Sequence, residues 1–292
     1  MEYSVAQQSN QGGRDYNEDR TAIFKREQAV LLIVADGLGG HAGGEVASQA
    51  FVDALGDSFI KANHEQLSNA ESFLTLSINY AHHMIHRRAV EQGYKVASPK
   101  TTCVVCLIYH GVARWAHSGD SRLYLIHKRI IVDQTIDHVS QRPGRSSNSP
   151  INRCVGGAES PRPMVSHQHK VQPGDIFVLA SDGAWANFEP VDLNDYIDPE
   201  HPTLGLDSLL QNLENRNKPP SDNLSMVVLF WGIKQRDTPS VDSVKKSEII
   251  ELLDSRDTDQ DPSKVNATFD MEELDNTIFE IENFISDLDN KI

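Results

Sequence analysis

The chain has 292 residues, 39% of them hydrophobic, which suffices for one large domain or two small ones with a real core; its three cysteines (Cys103, Cys106, Cys154) are too few and too scattered for a disulfide framework. No run approaches the roughly 18 consecutive apolar residues of a membrane span, and the first residues lack the basic and apolar regions of a signal peptide, so the expectation is a cytoplasmic protein with free thiols and no membrane partner. A formal charge of −15 excludes a non-specific nucleic-acid binder, which needs a basic surface to release phosphate counterions.

In chain order, runs rich in Val, Ile and Leu predict strands at 29–35, 102–108, 112–117, 123–126, 130–132, 176–180 and 224–231. Tyr109-His110-Gly111 and Lys128-Arg129 are too short for a parallel crossover, so the runs they join are antiparallel hairpins. Helical periodicity appears at 45–55, where Val46, Ala47, Ala50, Phe51, Ala54 and Leu55 share a face, and at 70–90. Antiparallel sheet with a few long helices implies a layered α+β domain. Residues 139–170 are polar and proline-bearing and predict a surface flap. From Asp237 onward the chain holds 16 acids and 5 bases, so the acidity is concentrated in the tail. The expected division is a domain at 1–234 and an acidic tail at 235–292.

Four aspartates stand where an apolar run meets a loop: Asp36, Asp120, Asp182 and Asp222. One such residue is an ordinary turn former or cap. Four are not, because an ionised carboxylate beside buried strands is costly unless it is paired, hydrogen-bonded or bound to a cation. Asp36 and Asp182 are followed by glycine, which lets the backbone approach an ion, and an all-oxygen donor set suits Mg²⁺ or Mn²⁺ rather than zinc. In Arg14-Asp-Tyr-Asn-Glu-Asp-Arg20, Glu18 and Asp19 add candidate ligands, and Arg14 or Arg20 offers a fork for phosphate.

Together, Arg14, Asn17-Glu18-Asp19-Arg20, Ala35-Asp36-Gly37-Leu38-Gly39-Gly40-His41, Thr101-Thr102, Ser118-Gly119-Asp120-Ser121-Arg122, Asp137-His138, Ser181-Asp182-Gly183 and Asp222-Asn223 resemble the ordered motifs of the metal-dependent PPM (type 2C) protein phosphatases. The resemblance spans roughly residues 4–232, and the wording around Asp36 is similar to the bacterial branch. It implies a β-sandwich of two antiparallel sheets flanked by helices, a four-layer αββα arrangement. It further implies a protein serine/threonine phosphatase holding two Mn²⁺ or Mg²⁺ ions, or three, and hydrolysing phosphoserine and phosphothreonine by direct attack of a metal-bridging water. By motif match Asp36 would bridge the metals, the Gly37 carbonyl would bind one, and Asp182 and Asp222 would complete the set. Glu18 and Asp19 would bind directly or through waters, Asp120 with Asp182 would match a third site, and Arg14 would hold the phosphate. The implied partners are phosphorylated proteins, substrates of an opposing serine/threonine kinase.

The chain departs from the pattern at three places. Leu38 stands where the eukaryotic branch carries a histidine proposed as general acid, Ala186 where the family shows an acid, and Lys100 where it often has glycine. The alternative reading is therefore a catalytically weak relative that binds phosphoproteins as a scaffold. A loose dinucleotide fingerprint, Gly37-Leu-Gly39-Gly-His-Ala42 with Asp53 and Asp57 downstream, is opposed by Asp36 and by the neighbouring hairpins. The Cys103/Cys106 spacing falls in a strand, where i and i+3 face opposite sides, and reads as core. His82, His83 and His86 lack further ligands and read as a solvated helix face. Asp257–Asp261 opens like a calcium loop, but Pro262 replaces the required glycine and Thr268 the closing glutamate.

In the tail, Met271, Leu274, Ile278, Ile281, Ile285, Leu288 and Ile292 repeat at alternating spacings of three and four behind a cap at Asp270. This predicts a helix over 270–292 with a narrow apolar seam that docks on the domain's own surface, on a partner or on a second copy. Asp275, Glu282 and Asp289 line one flank of the seam, so self-association gathers negative charge and a basic partner fits better.

Overall fold

The computed structural model describes residues 2–38, 43–138, 153–216 and 221–235. In chain order the elements are β1 (Tyr3–Asn10), β2 (Arg20–Arg26), β3 (Ala29–Ala35), β4 (Gly37–Leu38), α1 (Gly44–Lys61), α2 (His64–Ser68), α3 (Ala70–Glu91), β5 (Lys100–Thr101), β6 (Cys103–Tyr109), β7 (Val112–Ser118), β8 (Arg122–His127), β9 (Ile130–Gln134), β10 (Met164–Val165), β11 (His169–Lys170), β12 (Asp175–Ala180), α4 (Asp182–Trp185), α5 (Pro190–Tyr196), α6 (Pro202–Arg216) and β13 (Leu224–Trp231).

Two antiparallel sheets carry the fold. One runs β1-β13-β12-β8-β9; the other runs β10-β7-β6-β3-β2, with β11 also on β7. Alternation along β3 shows how four layers arise: Val30, Leu32 and Val34 join Phe177, Leu179, Val227 and Leu229 between the sheets. Ala29, Leu31, Ile33 and Ala35 instead pack with Phe51, Leu55, Leu74 and Ile78 of α1 and α3. On the opposite side Val178, Met226 and Val228 meet Leu206, Leu209, Leu210 and Leu213 of α6. Strands covered on both faces read as unbroken apolar runs, which is why these are legible without alternation.

The hairpin turns follow the backbone chemistry. His110 and Gly111 both have positive φ (48° and 73°), as do Lys128 and Arg129 (50° and 68°), the conformation that matches a two-residue turn to the strand twist. Both neighbours of β3 are antiparallel to it, so the parallel unit a dinucleotide fold needs is not built there.

Several expectations change. Strands β1 and β2 have no counterpart among the predicted runs; Gln7, Gln8, Ser9 and Asn10 give β1 a polar half, as an edge strand permits. Helix α1 runs six residues beyond the predicted 55, because Gly56 does not end it. A Cβ there would stand 2.4 Å from the Phe24 ring, so the glycine admits β2 rather than terminating the helix. Helix α6 is likewise absent from the predicted elements, despite its leucines at i, i+3, i+4 and i+7. Part of the expected flap is ordered sheet, β10 and β11 on β7, while 139–152 lie outside the described residues.

The histidines of α3 are a correction: His82, His83 and His86 are buried, not solvated. Gly156 N–H donates to His82 Nδ1 at 3.0 Å, and His86 Nε2 donates to the Gly156 and Gly157 carbonyls at 3.0 Å each, fastening that segment to the helix. Burial, with His86 and His83 alongside, pushes the His82 pKa down to about 3. Cys103 and Cys106 lie on opposite faces of β6, in different cores, and burial pushes the Cys103 thiol up to about 12. Residues 236–292, with the predicted helix, lie outside the described residues. No helix among the described residues is long and apolar enough to cross a membrane.

Candidate active site

Antiparallel wiring gathers the acids. The end of β3 pairs with the start of β2 (Ala35 with Arg20), and the end of β12 with the start of β13 (Ala180 with Met226). Asp36 and Asp19 therefore emerge together from one sheet, and Asp182 and Asp222 together from the other, at the same end of the sandwich. Asp120 follows β7 at that end.

Their charges act on one another. Burial first, then Asp19, Asp182, Asp120 and Asp222, hold the Asp36 carboxyl well above the usual carboxylate range. Asp182 is raised by burial and by Asp222, and it shares a hydrogen bond with Asp36. Asp19 is buried and pushed up to about 7, although Ser181 Oγ donates to its Oδ2 at 2.8 Å. Asp120 rises to about 6 through burial and Asp182, and its Oδ1 is buried with no hydrogen-bond partner among the described residues. Raised carboxyls clustered in this way are the electrostatic signature of a cation site.

The backbone around them has no spare room. Gly37 donates its N–H to the Glu18 carbonyl at 3.2 Å, and a Cβ on Gly37 would stand 2.5 Å from Gly44 backbone. Ser48 Oγ donates to the same Glu18 carbonyl at 2.5 Å. Gly183 passes so close to β13 that a Cβ would stand 2.2 Å from the Asn223 carbonyl, which brings Asp182 against Asp222. Asn223 is fully used: Oδ1 accepts from Glu18 N–H at 2.9 Å, and Nδ2 donates to the Gln11 and Tyr16 carbonyls at 2.7 and 3.0 Å. The Asp36 carbonyl accepts from Thr102 N–H at 2.8 Å and Thr101 Oγ1 at 2.9 Å.

Arg14 is exposed and donates to Asp222 Oδ2 at 2.7 Å. Arg20 is not a phosphate fork: its guanidinium donates to the Asn17 and Asp19 carbonyls and to Gln49. The loop bearing Asp120 is clamped separately. His138 N–H donates to the Gly119 carbonyl at 2.9 Å, and Trp185 Nε1 donates to the Asp120 carbonyl at 2.8 Å. Arg122 lies 3.3 Å over the Trp185 ring and forks onto Asp137 at 2.8 Å twice.

A family model described as protein phosphatase 2C matches residues 6–216. The chain belongs to that family. A protein phosphatase 2C-type protein of Streptococcus pyogenes is 28% identical over 184 residues, covering 58% of this chain and 74% of its own. Protein phosphatase PhpP of Streptococcus pneumoniae is 24% identical over 239 residues, covering 74% and 92%. The catalytic domain of the serine/threonine phosphatase PstP, solved with two manganese ions, is 25% identical with a TM-score of 0.61, covering 78% of this chain and 97% of that one.

The chain is thus a protein serine/threonine phosphatase of the bacterial type, with the PPM fold expected from its motifs. Its departures from the family pattern now have places. Leu38 pairs with Lys100 across β4 and β5, so two of them are cross-strand neighbours. Ala186 is exposed one turn after Asp182, its N–H on the Asp182 carbonyl at 3.0 Å. Among the described residues no three His, Cys, Asp or Glu side chains close on a single point. The Asp36–Asp182 hydrogen bond and the Arg14–Asp222 pair balance the charge instead. Sequence reasoning assigns no role to Ser48, Ser181, Ser225 or Asn223; Ser181 and Asn223 sit beside Asp182 and Asp222, and adjacency to an acid is the signal that marks them.

Proposed function

We propose that this phosphatase hydrolyses phosphoserine and phosphothreonine on proteins through two Mn²⁺ or Mg²⁺ ions, or three, held by Asp36, Asp182 and Asp222 with the Gly37 carbonyl. The observation that carries the reading is that carboxyls from both sheets meet close enough to raise one another, with Asp182 hydrogen-bonded to Asp36. The residues fit the ions: the donors are all oxygen, and the buried Oδ1 of Asp120 lacks any partner among the described residues. When bound, such a cation pair supplies an acidified water and Lewis acidity toward phosphoryl oxygens.

The chain's own residues do the rest. Asp36 and Asp182, both raised, would give up protons to hold cations, so loading would strengthen as pH rises. Asp19, held by Ser181, and Glu18, whose backbone Asn223 and Ser48 fix, would add ligands to the ions directly or through waters. Asp120 and Asp182 together would hold a third ion. Arg14 leaves Asp222 to fork onto the substrate phosphate, which its exposure allows. Leu38 offers no proton, so the leaving serine or threonine oxygen takes its proton from water or from another group of the site.

Leu38 and the exposed Ala186 favour one second reading, a slow relative that binds phosphoproteins as a scaffold. Hydrolysis of p-nitrophenyl phosphate and a phosphothreonine peptide with Mn²⁺, Mg²⁺ or chelator separates the two. Metal-dependent turnover that disappears in Asp36→Asn and Asp182→Asn supports the enzyme; peptide binding by the folded chain without turnover in any metal supports the scaffold.

A further inference from the structure

The described domain leaves one sheet edge both apolar and open. On β9, Ile130, Ile131 and Val132 are exposed (65%, 37% and 53%), and Ile136 just beyond is 72% exposed. The apolar rim continues onto the other sheet. His117 Nε2 meets the Ile136 carbonyl at 2.8 Å, and His117 pairs with Met164, which is 46% exposed. Strand β9 pairs with β8 through a register shift and ends in the exposed polar pair Asp133 and Gln134, but its apolar first half carries unpaired backbone groups, and proteins commonly cover such edges with a helix or loop.

We propose that the acidic tail of this same chain covers this edge, laying the apolar seam of residues 270–292 along β9 from Ile130 to Ile136. Three observations choose this occupant. The first is charge: the turn that begins β9 is Lys128-Arg129, both exposed, with Lys170 exposed on β11, whereas the chain from Asp237 onward holds 16 acids and 5 bases. Asp275, Glu282 and Asp289 form a negative row beside the seam that meets this basic end. The second is the path: Ile233, just before the tail, lines the same cavity of about 260 Å³ as Arg129, together with Asp175 and Trp231. Three strand spacings separate β13 from β9, about 14 Å, which a handful of extended residues crosses. The third is length: a helix over 270–292 spans about 34 Å, more than the roughly 20 Å from Ile130 to Ile136. The apolar groove of α1, α2 and α3, lined by Phe73, Leu76 and Tyr80, carries Glu65 and none of the basic residues that flank β9.

The seat has a functional direction. β9 leads through Ile136 to Asp137, which holds Arg122, and to His138, which donates its N–H to the Gly119 carbonyl, so the proposed seat is continuous with the loop that carries Asp120.

Hydrogen exchange on the full-length chain tests the proposal, comparing the wild type with a tail variant (Ile278→Asp, Ile281→Asp, Ile285→Asp) and a surface variant (Ile130→Glu, Val132→Glu). These surface positions are exposed, so the second variant keeps its fold. The expected result is that amides 130–134 exchange at least tenfold faster in the tail variant than in the wild type. Amides 271–292 quicken likewise in the surface variant, and 0.5 M NaCl weakens the wild-type protection. Equal exchange at 130–134 in the wild type and tail variant overturns it. Protection that grows with protein concentration, beside a dimer in sedimentation, overturns it too and assigns the edge to a second copy.

Discussion

Ser181, at the end of β12, donates its hydroxyl to Asp19, at the start of β2, across the seam between the two sheets at 2.8 Å. Ser225 N–H donates to the same hydroxyl at 3.0 Å, so one small side chain ties three elements to a buried acid. Ser181→Ala removes a hydrogen bond to a buried carboxylate and costs about 1–3 kcal/mol, a melting temperature about 2–12 °C lower in chelator for a domain of this size. The loss also pushes Asp19 further up, so the variant needs more Mn²⁺ at pH 7 than at pH 8.5. Thermal melts and a metal titration at the two pH values check both parts.

Asp36→Asn trades activity for stability. The folded Asp36 pKa lies above its unfolded value of 3.8, so the native state keeps a proton that the unfolded chain has released. Metal-free stability from this group is present at low pH and falls as pH rises past 3.8. Melts in chelator therefore show the Asp36→Asn variant and the wild type nearly equal at pH 4, with the variant ahead at pH 8. With Mn²⁺ the order reverses, because only the wild type gains strongly from binding, and turnover in the variant drops more than about a hundredfold.

His82 carries the opposite sign. Its folded pKa of about 3 lies below the ordinary 6.5, so the unfolded chain binds a proton that the native chain refuses. Stability is complete above pH 6.5 and declines as pH falls toward 3, by about 3 kcal/mol at pH 4. His82→Asn keeps an acceptor for Gly156 N–H and removes the titration. Denaturant midpoints at pH 4 and pH 7 are expected to differ less in this variant than in the wild type.

Gly183→Ala drives a methyl toward the Asn223 carbonyl, 2.2 Å from an ideal Cβ. Overpacking of this kind costs about 1–3 kcal/mol, and relief moves Asp182 away from Asp222. Metal-supported activity should fall at least tenfold while the circular dichroism spectrum stays native. An unchanged Mn²⁺ requirement at full activity would show that the Asp182–Asp222 spacing does not matter.

Legibility follows burial. Strands β3, β6, β12 and β13 announce themselves because helices or the second sheet cover both their faces, leaving no polar alternation. Edge strands β1 and β2 face solvent on one side and their polar residues hide them, while Gly56 shortens the predicted α1 because its contact with Phe24 is invisible along the chain. The α3 histidines are misread for a related reason: their partners, Gly156 and Gly157, lie some seventy residues away.

By itself the sequence determined the acids, their positions at strand ends, and a family whose motifs name them, because a carboxylate at the end of an apolar run is a local fact. Tertiary structure alone decided which carboxylates meet and in what electrostatic state. Asp36 and Asp182 stand 146 positions apart. Only the stacking of two antiparallel sheets brings their strand ends together, and only burial among the other acids holds both carboxyls above the usual range.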